Sequence, residues 1–410
     1  MKINITKLEQ VLFILLLVLA LFQEEVYSII RSSVVFIPLY IVLGLMIALY
    51  LVDIGMFFKR KGKFSCFIND RRSVFLWSIF VLYILFSIFW SSFNVYNISQ
   101  RLLIIFESIG TMILANVYID GKFYKKVMIF LVTVLGIDLL LTFQQNIIWG
   151  LYEDFCNGIF GYIGYGSGAV GMFCIGLSII AIVNYDAKVW GLLTSLVVIL
   201  FSSVICALAE VKIYYILFIL VLSLFFVLDG MSVKLFFRNI AIILGVSILF
   251  YIAYIILSII FPYNLNSMFS IDAYLAYDSR STYAGRTNTI PFILSTLFQN
   301  APIRSLFGMG LGTSSTEYIY ELGKTFSDLG FIGIVLLSIP LIEPLITWIL
   351  SSTSRTSQLF LKTIFSIALI IGIIVWNIPF VRSVNIFIFL LLGISTKINY
   401  KAKKEENLDW

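Results

Sequence analysis

The sequence contains no histidine and only four cysteines. Without histidine, the chain lacks the commonest general base and the commonest zinc ligand, which disfavours metal-hydrolase and serine or cysteine triad mechanisms. Any acid or base chemistry therefore falls to Asp, Glu, Lys, Arg or Tyr. The cysteines show no C-x-x-C spacing, so we predict packing residues, with neither a disulfide framework nor a metal site. They are Cys66, Cys156, Cys174 and Cys206.

Charged residues are also scarce, and hydrophobic sequence takes their place. Hydrophobic residues make up 61% of the chain and charged residues 12%, and the mean hydropathy is +1.04, whereas about a quarter of the residues of a soluble domain are charged. We therefore predict an all-α polytopic membrane protein that forms a single integral membrane domain over residues 1–410. At about 20 apolar residues per span, the sequence predicts roughly twelve transmembrane helices. Their predicted positions are near residues 9–29, 34–57, 73–91, 102–119, 127–149, 168–184, 189–207, 212–228, 240–261, 329–350, 359–376 and 383–395.

The longest break in the hydrophobic pattern lies between the ninth and tenth predicted helices, at residues 262–328. Lys and Arg in short loops accumulate on the cytoplasmic side, and most of the 28 basic residues share one side when the N-terminus is placed inside. We therefore predict that both termini and the loop from Lys59 to Arg72 are cytoplasmic, and that 262–328 is an external loop. The net charge of +6 then reflects topology, with membrane lipids as partners and no nucleic acid.

Eight basic residues, including Lys324, are predicted to face outward. We expect three of them to anchor helix ends at the lipid headgroups; these are Arg31, Arg101 and Arg382. Four others either do the same or converge on an anionic, lipid-linked ligand; these are Lys212, Arg280, Arg286 and Arg304. The second interpretation has a chemical basis, because the planar fork of arginine contacts phosphate oxygens in a bidentate way.

Within the external loop, apolar residues recur at the spacing of one helix face. They are Ile290, Ile293, Leu294, Leu297 and Phe298. Thr289 with Pro291 provides a helix start, and residues 300–302 provide a stop. We predict a short interfacial helix there, with Arg286 just before its N-terminus, where backbone amides and a guanidinium both favour phosphate.

Three glycines, Gly308, Gly310 and Gly312, follow in the same loop. They either let the backbone approach a ligand closely or serve only as turn and helix-break residues. The G-x-G-x-G pattern neither follows a predicted strand nor opens a βαβ unit, so it does not predict a dinucleotide-binding fold.

These features resemble the O-antigen polymerase and O-antigen ligase family of bacterial polysaccharide assembly. The resemblance rests on the multi-span chain, the long late loop, the Gly285-Arg286 pair, the glycine stretch at 305–312 and the glycine-containing helix start at 328–333. A further match is the turn at 209–212, where family members carry a basic residue, often beside an acidic one. The ligase branch is known for a catalytic histidine in the late loop. Because this chain has none, the resemblance favours the polymerase branch, including capsule and exopolysaccharide polymerases.

The resemblance implies glycosyl transfer without metal or cofactor on the outer face of the bacterial cytoplasmic membrane. A glycan on a polyprenyl diphosphate would pass to the terminal sugar of a new lipid-linked repeat unit, with a chain-length regulator as a partner. Arg286 and Lys212 would stabilise the leaving diphosphate, and Glu210 would accept the proton of the sugar hydroxyl. The predicted substrate-binding residues are Arg280, Arg304, Gly308, Gly310, Gly312, Glu317 and Glu321. Glu317, Glu321 and Asp328 are further candidate bases, and the alternative for each is a solvated loop acid.

Two other functions stay open on the sequence. A flippase or transporter of the same lipid-linked oligosaccharide would carry ionisable residues near the bilayer midplane, and the candidates are Glu107, Asp138 and Glu343. We expect Asp138 to make a helix-packing hydrogen bond instead. No internal repeat is visible, which disfavours a transporter. The second alternative is a ligase-like transferase.

Overall fold

The computed structural model describes residues 5–59, 71–91, 95–119, 121–152, 155–163, 166–186, 189–228, 252, 255, 289–313, 321–350, 363–371 and 382–395. Every regular element in these residues is helical, and no β-strand occurs among them. This confirms the predicted all-α class.

The helices follow one another with short connections. Before the predicted external loop come α1 (Ile5–Ile30), α2 (Ile37–Lys59), α3 (Arg71–Ser87), α4 (Val95–Tyr118), α5 (Gly121–Phe143), α6 (Ser167–Asp186), α7 (Leu192–Leu208) and α8 (Lys212–Leu228). Later come α9 (Thr289–Phe292), α10 (Pro302–Phe307), α11 (Glu321–Leu350), α12 (363–371) and α13 (Arg382–Ser395). Two helices continue into a π turn; these turns are Gln144–Ile148 after α5 and Ile293–Leu297 after α9. Short 3-10 segments lie at Ser33–Phe36, Ile88–Trp90 and Gly158–Phe160.

Seven helical segments among the described residues are long and apolar enough to cross a bilayer. They are Lys7–Ile30, Ser33–Ile54, Arg72–Trp90, Val95–Tyr118, Phe123–Ile148, Ser167–Tyr185 and Leu322–Leu350. Shorter apolar helices cover Leu192–Leu208 and Lys212–Ser223. All predicted spans coincide with a described helix except the one near 240–261, which lies almost entirely outside the described residues. The protein is therefore a helical membrane protein, and the count of twelve spans stays a prediction.

The described residues divide into two compact units. Unit 1 comprises residues 1–129 and 277–410, and unit 2 comprises residues 130–276. The predicted single membrane domain stays a prediction.

Helix α4 in unit 1 differs from its neighbours in burying a polar stripe. Helices such as α2 are apolar on all sides, as expected of a span that faces lipid and protein at once. In α4, by contrast, the buried residues include Arg101, Glu107, Ser108, Thr111 and Asn116. The same helix packs closely on α13, since a Cβ atom on Gly393 would come within 2.7 Å of the Ala115 side chain. Polar groups inside a membrane bundle are costly, so such a stripe marks α4 as the helix around which unit 1 organises its polar contacts.

Different helix termini lie together at the two ends of unit 1. At one end, the Tyr118 hydroxyl donates to the Asp53 carboxylate over 3.4 Å, and Glu9 contacts the same carboxylate. This brings together the start of α1, the end of α2 and the end of α4. The start of α4 lies at the other end, about 36 Å away at 1.5 Å of rise per residue. The arrangement agrees with the predicted alternation of spans, while the end that faces the cytoplasm stays a prediction.

One acidic residue predicted near the bilayer midplane forms an ion pair in unit 1. Glu343 of α11 was predicted near the bilayer midplane, but its carboxylate pairs with Arg72 at the start of α3 over 3.0 Å. The pair joins Glu343 to the first turn of α3, and the depth of Glu343 in the bilayer stays a prediction.

Candidate functional site

The short helix predicted in the external loop is present in unit 1. It begins at Thr289, continues through the π turn Ile293–Leu297 and ends at Phe298. Ile293 and Phe298 are fully buried and pack with Phe326 of α11. Of the predicted apolar face, only Ile290 is exposed, at 39%. The helix therefore lies against protein on its apolar face.

Arg304 is the one predicted ligand cation of unit 1 that falls within the described part of the chain. It lies on α10, which starts at Pro302, a residue suited to the first helical turn because it has no amide hydrogen. The side chain is exposed, and its Nη1 donates to Gln299 Oε1 over 3.4 Å. Because the Arg304 guanidinium is exposed, it can bind a phosphate without first breaking a buried hydrogen bond or ion pair.

The glycine stretch after α10 packs directly against protein backbone. Gly308 and Gly310 have φ values of 76° and 91°, which side chains rarely allow. A Cβ atom on Gly308 would overlap the Asp328 carbonyl group, and one on Gly310 would lie 2.7 Å from the Ser91 amide nitrogen. The close approach that these glycines permit is therefore to the end of α3 and to the start of the span in α11. Their predicted role in substrate binding stays a prediction.

Hydrogen bonds tie this stretch on both sides. Met309 N–H donates to the Ser327 carbonyl over 2.9 Å, and Gly310 N–H donates to the Asp328 carbonyl over 3.0 Å. On the side of α3, the Ser91 hydroxyl donates to the Leu311 carbonyl over 2.7 Å. The amides of residues 309 and 310 are thus used inside the protein, which holds the stretch rigidly.

A buried ion pair lies beneath the glycine stretch. Arg101 Nε of α4 contacts Asp328 Oδ2 over 3.4 Å, with only 11% and 2% of the two side chains exposed. Two expectations were wrong here: Arg101 does not reach outward as an anchor, and Asp328 is not a solvated loop acid. Each charge finds its partner inside the protein, because α4 and the break in α11 at Gly330, with φ of 64°, meet at this end of unit 1. Asp328 is only 2% exposed, and its candidate role as a base stays a prediction.

Several predicted site residues lie outside the described part of the chain. They are Arg280, Arg286 and Glu317, and of Glu321 the structure describes only its place at the start of α11. Their predicted roles stay predictions.

The turn that carries Glu210 and Lys212 lies in unit 2, between α7 and α8. Glu210 adopts a φ of 54°, and Lys212 N–H donates to the Glu210 carbonyl over 3.0 Å, so the turn is tight. Both side chains are half-buried. The next residue on the inward face, Tyr214, is fully buried, with its hydroxyl 2.9 Å from that of Ser178. The predicted convergence of Lys212 with the arginines of unit 1 stays a prediction.

A second anchored loop, which the sequence did not predict, lies in unit 2 between α5 and α6. Gln145 is fully buried: its Oε1 accepts from the amides of Asn157 and Gly158, and its Nε2 donates to the Gly158 carbonyl over 2.9 Å. Asp138 Oδ1 accepts from Ile159 N–H over 2.9 Å. The hydrogen-bonding role expected for Asp138 is thus present, directed to a loop rather than to a helix. The polar run Gln144-Gln145-Asn146 at the end of an apolar span was the signal that could have revealed this loop.

The described cysteines are buried in unit 2. Cys156, Cys174 and Cys206 are free thiols with no exposed surface. Burial raises the pKa of the Cys156 thiol to about 12, so the reactive thiolate is scarce at neutral pH. No cluster of metal-ligating side chains occurs among the residues that the structure describes. The three thiols are packing residues, and Cys66 lies outside the described residues.

Comparisons with known proteins give no relative for this chain: no family model matches it, and no curated protein or solved structure matches it either.

Proposed function

We propose that this protein polymerises lipid-linked oligosaccharide repeat units for a capsule, an O-antigen or an exopolysaccharide. The donor is a glycan on a polyprenyl diphosphate, and the acceptor is a sugar hydroxyl of a second repeat unit. The bond between the anomeric carbon and the diphosphate oxygen breaks as the hydroxyl oxygen bonds to that carbon. The proton of the hydroxyl passes to a carboxylate, and polyprenyl diphosphate leaves.

The observation that carries the proposal is an exposed cation on a firmly anchored segment of unit 1. Arg304 lies between the buried end of the α9 helix and the glycine stretch, which is bonded to α3 and α11 on either side. Charge that develops on a leaving diphosphate is best stabilised by cations that need not reorganise. Because the segment that carries Arg304 is held on both sides, its guanidinium need not reorganise as the charge develops.

Within the proposal, other cations and an acid complete the chemistry. Arg286 binds the diphosphate with Arg304, and Arg280 assists. Glu210 accepts the proton, since it is half-buried and lies two residues from Lys212.

One observation favours the transporter alternative. Glu107 and Asp138 are buried within apolar spans, with 1% and 0% exposure. Such residues mark ion or substrate pathways in transporters. For Asp138, however, the hydrogen bond to the Ile159 amide gives a structural reason for its burial. Glu107 alone therefore supports the alternative.

The test is reconstitution of the purified full chain in liposomes with one defined lipid-linked repeat unit. We expect a ladder of longer glycans on the lipid carrier. A flippase would move the unit across the bilayer without lengthening it, which a membrane-impermeant glycosidase or lectin would detect. Translocation with no elongation would replace the polymerase proposal with the transporter.

Matched arginine variants then test the cation. Arg304→Ala should slow elongation about ten- to a hundredfold, because a hydrogen bond to a charged group is worth about 1.5 to 3 kcal/mol. Arg31→Ala is the control: Arg31 is also exposed at a helix end of unit 1, where its Nε donates to the Ser28 carbonyl. Equal rates for the two variants would remove Arg304 from the proposed site.

A further inference from the structure

A small cavity lies inside unit 1, away from the glycine stretch and close to the Arg72 and Glu343 pair. Its volume is about 20 Å³, and its lining comes from α3, α4, α11, α12 and α13. The polar lining residues are Ser73, Asn116 and Ser366, and all three are buried. This cavity volume is the volume that the centre of a water-sized sphere can occupy, and a polar cavity needs roughly 10 to 15 Å³ of it to hold one water molecule. Apolar cavities stay dry.

Ser366 points to an occupant for this cavity. Its side chain is 0% exposed, and its hydroxyl has no hydrogen-bond partner among the described residues. A buried hydroxyl without a partner costs about 1 to 3 kcal/mol. A hydroxyl in a polar cavity of this volume is therefore expected to bind water.

The helix α11 adds a second polar group at the same place. Pro340 and Pro344 both line the cavity, and because proline has no amide hydrogen, the Pro340 carbonyl lacks its usual donor four residues later. Membrane helices tolerate proline where side chains or ordered water supply the missing hydrogen bonds. The same turn of α11 also takes a side-chain donor from α12, since the Thr363 hydroxyl donates to the Pro344 carbonyl over 3.1 Å.

We propose that this cavity is a binding site for a water molecule, held by the Ser366 hydroxyl and the proline-broken turn of α11. Ser73 and Asn116 provide further polar groups around it. The bound water replaces the hydrogen bond that Pro344 denies to the Pro340 carbonyl, and it does so independently of the proposed glycosyl transfer.

Two lining residues can report on the water directly. Met112 and Trp77 line the cavity and are only 4% and 2% exposed, so hydroxyl radicals from bulk solvent do not reach them. Radiolysis of a water bound in the cavity would generate radicals beside them. Met46 and Met128 are matched controls, with 0% and 1% exposure, and neither belongs to the cavity lining.

The experiment is synchrotron radiolysis of the full chain in detergent with ¹⁸O-water, followed by mass spectrometry. We expect Met112 to be oxidised several-fold faster than Met46 and Met128. In Ser366→Val, which removes the hydroxyl and fills space with methyl groups, Met112 should fall to the control rate. Ser73→Val serves the same purpose if the first variant does not fold. Control-level oxidation of wild-type Met112 would show a dry cavity, and undiminished oxidation in a folded variant would show another radical source; either result overturns the proposal.

Discussion

The two units each fix a connecting segment onto their helices, but they use different chemistry. In unit 1, glycines let backbone lie against backbone above a buried pair of opposite charges, Arg101 and Asp328. In unit 2, two polar side chains inside a span, Asp138 and Gln145, accept the amides of a folded loop. The first anchor depends on the absence of side chains, and the second depends on their presence.

Because the chemistry differs, the two anchors should lose different amounts of stability when one of their side chains is removed. A buried ion pair is costly to break from one side, because the remaining charge has no partner in a medium that solvates it poorly. A buried carboxylate or amide that serves the backbone costs less to lose, since the orphaned groups are neutral. The predictions below test this ranking, from the largest effect to the smallest.

Asp328→Ala should reduce the free energy of unfolding by about 3 to 5 kcal/mol, because it leaves Arg101 buried without its partner. Glu343→Ala is the control: Glu343 is 12% exposed, but its partner Arg72 is 68% exposed, so the charge left behind stays in water and the loss should be about 0 to 1 kcal/mol. Thermal denaturation in detergent measures both. Replacing both residues, as in Arg101→Met with Asp328→Leu, should restore much of the loss. Similar losses for the two single variants would contradict the buried pair.

Gly310→Ala should also destabilise unit 1. The left-handed backbone costs about 1 to 2 kcal/mol for a residue with a side chain, and the overlap with Ser91 adds about 1 to 3 kcal/mol. Gly44→Ala in α2 is the matched control, because its new Cβ would meet no atom of another element within 4 Å and alanine favours a helix by about 1 kcal/mol. We expect opposite signs in the same denaturation assay; destabilisation by both would remove the special role of Gly310.

Asp138→Ala should reduce stability by about 1 to 3 kcal/mol, because the Ile159 amide loses its buried acceptor. Asp138→Asn keeps an oxygen at that position and should retain most of the stability. If the two variants lose equal stability, the charge rather than the hydrogen bond matters. Thermal denaturation, with proteolysis of the loop at 155–163 as a local readout, separates these outcomes.

The smallest expected effect concerns Cys156. Its pKa is raised by burial from an ordinary value near 9 to about 12. The thiolate fraction at pH 8 is therefore far below that of an exposed cysteine, and N-ethylmaleimide should leave Cys156 unmodified in the folded protein. The introduced cysteine in Arg304→Cys, at an exposed position, should react within minutes. Peptide mapping by mass spectrometry gives both results, and rapid modification of Cys156 would show that the loop opens.

Much of the helical layout could be predicted from the sequence, because long apolar runs have one stable form in lipid. The short helix at 289–298 was predicted for a related reason: its apolar residues repeat at helical spacing, and only Ile290 departs from the predicted face. The candidate site was less predictable. Arg101 and Asp328 are separated by 227 residues, and nothing local in either neighbourhood indicates that they meet.

Composition and periodicity by themselves determined that this protein is an all-α membrane protein. This follows from local physics: hydrocarbon admits only backbone that bonds to itself, and the helix is the element that a continuous apolar run can form. Only the tertiary structure decided what the polar residues do. It turned Arg101 and Asp328 inward, placed Asp138 and Gln145 under a loop, and packed the glycines against backbone. Which polar groups find partners depends on helices that are distant in sequence, and no local pattern records those contacts.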